Sequence, residues 1–334
     1  MALNNKLSVG IVGGGFGTYG LIPAFRLEDR CEITSICTLT LEKSKKISIE
    51  NNIKNYYTSF EEMIENNSLD IIAIATIPSI QEKIIKYAAE KKIHIFCEKP
   101  AAVNYTNAFS LYEIIKKNNV KSCIDFPFLE IDEFIKMKQK ISSGELGIIN
   151  ECNISWKFCA HHIKHNIVSW KNKKNEGGGL LPMYASHTLS YIEFFFGEIS
   201  KFLIKKYNDT ELSINFITEG KLLINFDLKI DSKDQQHHSI SVEGSKETVI
   251  LETSNALRFS EFYFRRKGEK FRVISSNNTD QRYLIVSKLI KKFINNILYN
   301  ESIINHSFEK GVRNQFLIQK IDDCLNSHEW NRVN

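Results

Sequence analysis

The sequence predicts two domains: a doubly wound parallel α/β domain over residues 1–125, and an α+β domain over residues 126–334 with a large, mainly antiparallel open sheet. Three observations predict it. Short, continuously apolar runs alternate with amphipathic helices as far as about residue 125, the pattern of parallel strands covered on both faces. A glycine cluster, Gly13-Gly14-Gly15-Phe16-Gly17, stands directly between the first apolar run and the first helix. From about residue 200 the pattern changes to consecutive alternating strands separated by tight turns. A chain of 334 residues is also long for one core and comfortable for two.

The first strand is KLSVGIV, at residues 6–12, and a helix pattern follows through Ala24 and Phe25. EITSIC is the second strand, EKSKKISIEN a polar helix, and Ser59 with Glu62 has capping-box spacing ahead of a short helix, FEEMIEN. DIIAIAT, IHIFC and KSCIDF are strands four to six, separated by the helices QEKIIKYAAEKK and NAFSLYEIIKKN. Beyond them, DEFIKMKQKISSG is a helix closed by Gly144, and LLPMYASHTLSYIEFFF is a helix stopped by Gly197. KFLIKKY, LSINFIT, KLLINFDLKI, HSISVEG and ETVILET are the alternating strands, turned at Glu219-Gly220 and Gly244-Ser245. Two helices, YLIVSKLIKKFINNIL and VRNQFLIQKIDDCLNS, close the chain.

Composition narrows the function classes. The formal net charge of +5 is far below a nucleic-acid footprint, and most basic residues are spread along amphipathic helices. No apolar run approaches the roughly 18 residues of a membrane helix, and the opening residues lead straight into a strand with no signal-peptide pattern, so a cytoplasmic protein is expected. The seven cysteines are odd in number, scattered and without CxxC spacing, which argues for free thiols packed as small hydrophobes and against a zinc site. One local exception stands out, because His161, His162, Lys164, His165, Lys171, Lys173 and Lys174 crowd a single segment. That segment is either a solvated loop or a rim that attracts an anionic substrate.

The glycine cluster predicts dinucleotide binding. Gly13 allows the tight turn, Gly15 lets the backbone approach a pyrophosphate at a helix N-terminus, and Gly17 and Thr18 stand where helix and strand must pass closely. The cofactor is NADP or NAD. At the end of the second strand no acid stands ready for the ribose hydroxyls; Thr38 with Lys43 suits a 2′-phosphate better and favours NADP.

Cys97-Glu98-Lys99-Pro100 ends the fifth strand. With the glycine cluster, Ala75-Thr76-Ile77-Pro78-Ser79, Ser143-Gly144-Glu145-Leu146-Gly147, Trp170-Lys171, Gly177-Gly178-Gly179, Ser241-Val242-Glu243-Gly244 and Ser307-Phe308-Glu309-Lys310-Gly311, it resembles the glucose–fructose oxidoreductase / inositol dehydrogenase / rhizopine-catabolism (Gfo/Idh/MocA) family over nearly the whole chain. The resemblance implies a Rossmann domain with Phe16, Thr76, Pro78, Glu98 and Lys99 beside the cofactor, and a cis peptide before Pro100. It also implies that Lys99 binds the reacting oxygen and that His187 is a catalytic histidine. The family's usual aspartate falls on Met183; Tyr184, three residues from His187, is the nearest substitute, with core packing its rival reading. Two further departures, Gln81 where a histidine is usual and Leu129 where an arginine follows Asp125, bear on the substrate.

The expected function is hydride transfer between nicotinamide and a secondary alcohol or ketone of a sugar, polyol or nucleotide sugar. Asp125, His162, Trp170, Lys171, Tyr184, His187 and Lys99 are the expected substrate contacts, and no metal is expected. The rivals are a cofactor-binding regulator that has lost its chemistry, and a reductase of an imine or non-sugar carbonyl. The alternating strands have one apolar face only partly covered by the helices at hand, so a homodimer or homotetramer is expected.

Overall fold

The computed structural model describes residues 6–233, 236–255, 261–270 and 281–333, so the first five residues of the opening stretch lie outside it. The chain divides into two compact units. The first comprises Met1–Pro127, Lys174–Gly177 and Arg282–Gln315, and the second Phe128–Lys173, Gly178–Gln281 and Phe316–Asn334.

In the first unit, strands β1 (Leu7–Val12), β2 (Cys31–Cys37), β3 (Asn55–Tyr57), β4 (Ile71–Ile74), β5 (His94–Glu98) and β6 (Ser122–Asp125) form a six-stranded sheet. Its order is β3-β2-β1-β4-β5-β6 and every pairing is parallel, the doubly wound arrangement expected. Between the strands run α1 (Ile22–Arg26), α2 (Leu41–Glu50), α3 (Phe60–Glu65), α4 (Pro78–Glu90) and α5 (Tyr105–Lys117). Local chemistry starts them: the side chains of Thr40, Ser59 and Asn104 accept from the amides of Lys43, Glu62 and Asn107. At Ser59 the first half of the expected capping box forms, the Glu62 amide donating to the Ser59 hydroxyl, and that hydroxyl in turn donates to the Glu61 carboxylate.

The second unit opens with α6 (Asp132–Ser142), β7 (Ile149–Lys157), α7 (His161–Lys164) and α8 (Ser186–Phe196). Then follow β8 (Ile199–Tyr207), β9 (Glu211–Thr218), β10 (Leu223–Lys229), β11 (His237–Gly244), β12 (Thr248–Thr253) and β13 (Tyr263–Arg266). Helices α9 (Arg282–Tyr299) and α10 (Phe308–Asp323) come next, and β14 (Asn331–Arg332) ends the chain. The second sheet has eight strands in the order β13-β12-β11-β7-β10-β9-β8-β14; only β7 and β10 pair in parallel. Its central strand, β7, was not anticipated. Cys152, Ile154 and Trp156 point into the core while Glu151, Asn153 and Ser155 point out, so the segment is an alternating strand after all.

Two expectations need correction. Residues 282–315 do not belong with the second domain: Val286, Leu289, Ile290, Phe293 and Ile294 of α9 are fully buried in the core of the first unit with Leu21, Ile22, Phe25 and Phe96. Burying such side chains contributes roughly 1.5–3 kcal/mol each, which decides where the helix resides. The apolar face of the second sheet is also not left open. Phe134 of α6 and Tyr191 and Phe195 of α8 pack in one aromatic cluster with Phe128, Trp156 and His238, while the opposite face carries a polar ladder in which Asn225 donates to Glu151 and Asn153. Among the described residues no helix is long and apolar enough to cross a membrane.

Candidate functional site

The strand order of the first unit reverses between β1 and β4, where an open α/β sheet leaves a crevice for ligands at its carboxyl end. The glycine cluster occupies that place. Gly13 has φ +123°, its amide donates to the Cys37 carbonyl (2.9 Å), and a Cβ here would run into the Ala75 carbonyl. Gly15 has nothing within 4 Å of where a Cβ would lie, so its outer side is open. Gly17 starts a π-helical turn, Gly17–Leu21, that runs into α1, and Thr18 donates its amide back to the Gly15 carbonyl (2.9 Å). Tight turn, open glycine and helix start together form a cradle that fits a dinucleotide's pyrophosphate.

At the end of β2 the picture divides. Thr38 is buried, and its hydroxyl is spent on Ser44 Oγ (2.8 Å) and the Thr40 carbonyl (3.2 Å). As a direct phosphate contact Thr38 therefore does not stand. The Lys43 side chain is exposed, and its ammonium end lies against Gly14, over the glycine turn.

Lys99 follows the carboxyl end of β5, and its peptide bond to Pro100 is cis. The turn is braced from α4: the Gln81 carboxamide donates to the carbonyls of Glu98 and Pro100, both at 2.8 Å. The glutamine that departs from the family pattern is thus a structural clamp on the lysine turn. Thr76 and Pro78 lie on the neighbouring turn after β4, where Pro78 opens α4. Asp125 is register partner of Glu98 on β6 and only 1% exposed. Neither Asp125 oxygen has a hydrogen-bond partner among the described residues. Burial first, then the Glu98 charge, holds the Asp125 carboxyl well above its usual range. Burial also raises Glu98, opposed by the positive charges of Lys99 and Arg282. Asp125 is a partner of Glu98 before it is anything else.

In the second unit the helix after the glycines is not one regular α-helix. Leu181–Ala185 is a π-helical turn that carries Met183 and Tyr184, and His187 stands in the first turn of α8. Tyr184 and His187 nevertheless border the same indole, Trp156, at ring distances of 6.2 and 6.1 Å. Burial pushes the Tyr184 phenol up to about 12, so at neutral pH it holds its proton. His187 is 7% exposed and also meets Phe128 edge-on at 5.2 Å.

The basic segment resolves into parts. His161 and Lys164 are exposed on α7, while His162 is buried, and burial followed by the Lys171 charge depresses its pKa. Trp170 and Lys171 are half-buried in a turn held by the glycine run: the amide of Gly179 donates to the Lys171 carbonyl (2.8 Å), and a Cβ on Gly178 would strike the Trp170 carbonyl. Only glycine lets this turn sit against the start of the Tyr184 and His187 helix.

Sequence reasoning missed Arg282, whose guanidinium lies over Phe16 at 5.2 Å and over Tyr19 at 5.6 Å. It also missed Ser44, which diverts Thr38, and Trp156, which joins Tyr184 to His187. Among the described residues no group of three or more histidine, cysteine or acidic side chains could hold a metal ion.

Residues 7–126 match the family described as an oxidoreductase family with an NAD-binding Rossmann fold, and residues 134–250 match the GFO/IDH/MocA C-terminal domain. An uncharacterized oxidoreductase of Synechocystis sp. is 25% identical over 197 residues, 59% of this chain and 53% of its own. The matched region thus spans about half the length of that curated relative. A structure of levoglucosan dehydrogenase in complex with NADH and L-sorbose superposes with a TM-score of 0.82 at 17% identity, covering 99% of each chain. The WlbA dehydrogenase of Bordetella pertussis, in complex with NADH and UDP-GlcNAcA, superposes with a TM-score of 0.81 at 16% identity, again over 99% of each chain. At these identities the structural likeness establishes the fold.

Proposed function

The chain belongs to the GFO/IDH/MocA oxidoreductase family, and from that premise we propose that it transfers a hydride between a nicotinamide cofactor and a secondary alcohol, or the matching ketone, of a sugar, polyol or nucleotide sugar. The observation that carries the reading is the placement, on one sheet, of an open glycine cradle after β1 and a clamped Lys99 turn after β5. Gly13, Gly15, Phe16, Gly17 and Thr18 would receive the pyrophosphate, and Thr76, Pro78, Glu98 and Lys99 the nicotinamide half. When bound, the cofactor supplies or accepts the hydride at its nicotinamide ring.

Lys99 would hold the reacting oxygen and favour its negative charge as a carbonyl is reduced. In the second unit Tyr184, protonated at neutral pH, serves as a donor in the reducing direction. His187, on the same indole, is the alternative to Tyr184; whichever of the two serves gives the proton in reduction and takes it back in oxidation, without the acid missing at Met183. His162, Trp170 and Lys171 are proposed to bind an anionic handle, which a nucleotide sugar would provide; the UDP-GlcNAcA bound by the Bordetella dehydrogenase is a ligand of that chemistry. We keep NADP ahead of NAD on Lys43 alone, since Thr38 is engaged internally.

The test is a fluorescence titration of the purified protein with NADPH and NADH in parallel, followed by a sugar and nucleotide-sugar screen with the tighter cofactor. Tight NADPH with weak NADH supports both the site and the Lys43 reading. The reverse keeps the site and removes the preference. Binding of neither overturns the dinucleotide reading of the glycine cradle, for the enzyme and the cofactor-binding regulator alike, and leaves a degenerate site in its place.

A further inference from the structure

The glycine cradle and the lysine turn lie on different loops of the first unit, and one side chain lies over the first while its charge acts on the carboxyls beside the second. Arg282 is the first residue of α9 and arrives from 263 positions further along the chain. Its guanidinium lies over the rings of Phe16 (5.2 Å) and Tyr19 (5.6 Å), with a long hydrogen bond from Nη2 to the Tyr19 hydroxyl (3.5 Å). Phe16 and Tyr19 themselves meet edge-on at 5.3 Å, on the loop and the first helical turn that carry the glycines. Gly13, Gly14, Gly15 and Gly17 contribute no side chains, so Phe16 and Tyr19 are the aromatic faces by which the loop can be held. The Arg282 charge also acts on the buried carboxyls of Glu98, next to Lys99, and Asp125, at the end of the adjoining strand. The rest of α9 is anchored in the core of the same unit, so the guanidinium is presented from a fixed base.

We propose that Arg282 is a positioning residue for the cofactor site, tying the glycine loop through Phe16 and Tyr19 to the Lys99 turn through the Glu98–Asp125 pair. The inference rests on the dinucleotide reading above and adds to it a residue outside every motif that supports that reading. A planar guanidinium suits the role because it stacks on an aromatic face while keeping in-plane donors for a carboxylate. Lysine in its place would keep the charge and lose the stacking.

The experiment measures NADH and NADPH dissociation constants by fluorescence for the full chain, at a temperature where circular dichroism shows each variant folded. The proteins are wild type, R282M, R282K, E98Q and R282M/E98Q. Simple loss of stability does not change the affinity of the molecules that remain folded. The tie predicts that R282M weakens both nucleotides by roughly five- to tenfold with their ratio unchanged, that R282K recovers part of the loss, and that the double variant binds no worse than the weaker single one. Affinity within twofold of wild type in R282M, or losses in R282M and E98Q that simply multiply, overturns the proposal. If wild type itself binds neither nucleotide, the dinucleotide reading has failed and this inference falls with it, a result distinct from a wild type that binds and an R282M variant that binds equally well.

Discussion

Replacing Asp125 by asparagine tests whether the pair of carboxyls beneath the lysine turn stores a proton. Asp125 is 1% exposed, faces Glu98 across paired strands, and is held well above the usual carboxylate range by burial and then by the Glu98 charge. The other groups acting on the pair are Lys99 and Arg282, with the buried Cys97 thiol close by. In the unfolded chain an aspartate loses its proton near pH ~3.9. Above that value, and up to the raised folded value, the native state holds a proton that the unfolded chain has released. Stability must therefore fall as pH rises through the window, by about 1.4 kcal/mol per pH unit for one full proton. Asparagine cannot titrate and has nearly the shape of the acid, so D125N keeps the packing without the penalty. For a chain of this size 1 kcal/mol moves the melting temperature by roughly 2–4 °C. Melting curves of wild type and D125N followed by circular dichroism at pH 5, 6 and 7, at constant ionic strength, should separate by a few degrees per unit, the variant gaining as pH rises. Curves that stay parallel would mean that Asp125 binds the same number of protons folded and unfolded, and the stored-proton reasoning would be refuted.

His238 gives the opposite slope, since burial lowers its pKa to about 3 while its ring stacks on Trp156 at 4.6 Å and bonds Tyr191 through Nε2 (3.0 Å). Wild type should lose stability as pH falls from about 6.5, the ordinary histidine value, toward 3; His238→Gln should start lower but lose less over that range, seen in the same melts. Lys43→Ala should weaken NADPH by about tenfold, one ion contact's worth, and leave NADH near wild type; equal losses would remove Lys43 from the 2′-phosphate. Gly13→Ala forces a side chain onto a φ of +123° against the Ala75 carbonyl, so both nucleotides should weaken by more than about tenfold. Tyr184→Phe should lower kcat for ketone reduction, on the order of 10²-fold, while leaving nucleotide affinity intact; unchanged kcat returns Tyr184 to a packing role.

What the sequence disclosed depended on how far apart the interacting groups lie along the chain. Strands β1, β4 and β5 were legible because strands covered on both faces have short apolar centres without alternation, and here turn residues and amphipathic helices bound each of them. Strand β7 alternates as the strands read from the sequence do, with Glu151, Asn153 and Ser155 on its outer face, but it escaped because it stands alone between two helices with no hairpin partner beside it in the chain. Its parallel partner β10 lies some seventy residues on, beyond the reach of any local pattern. Helix α9 was legible as an amphipathic helix, but an apolar stripe does not say which core it will enter, and 282–315 were assigned to the wrong unit for that reason. The site divides along the same line. Gly13 through Gly17 and Glu98-Lys99-Pro100 are local motifs whose residue types carry their own geometry. Thr38 shows the limit of a residue type: the hydroxyl stood where expected, yet Ser44, six residues on and packed beneath, turned it inward. Gln81 read as a missing histidine and became the clamp on the lysine turn, because what the turn needed from α4 was a donor for two carbonyls. Arg282 had no motif at all. Its place follows from two aromatic faces and two buried carboxyls that only the folded unit brings together, which is why the cofactor titration of its variants tests the fold's contribution to the site and not the motif's.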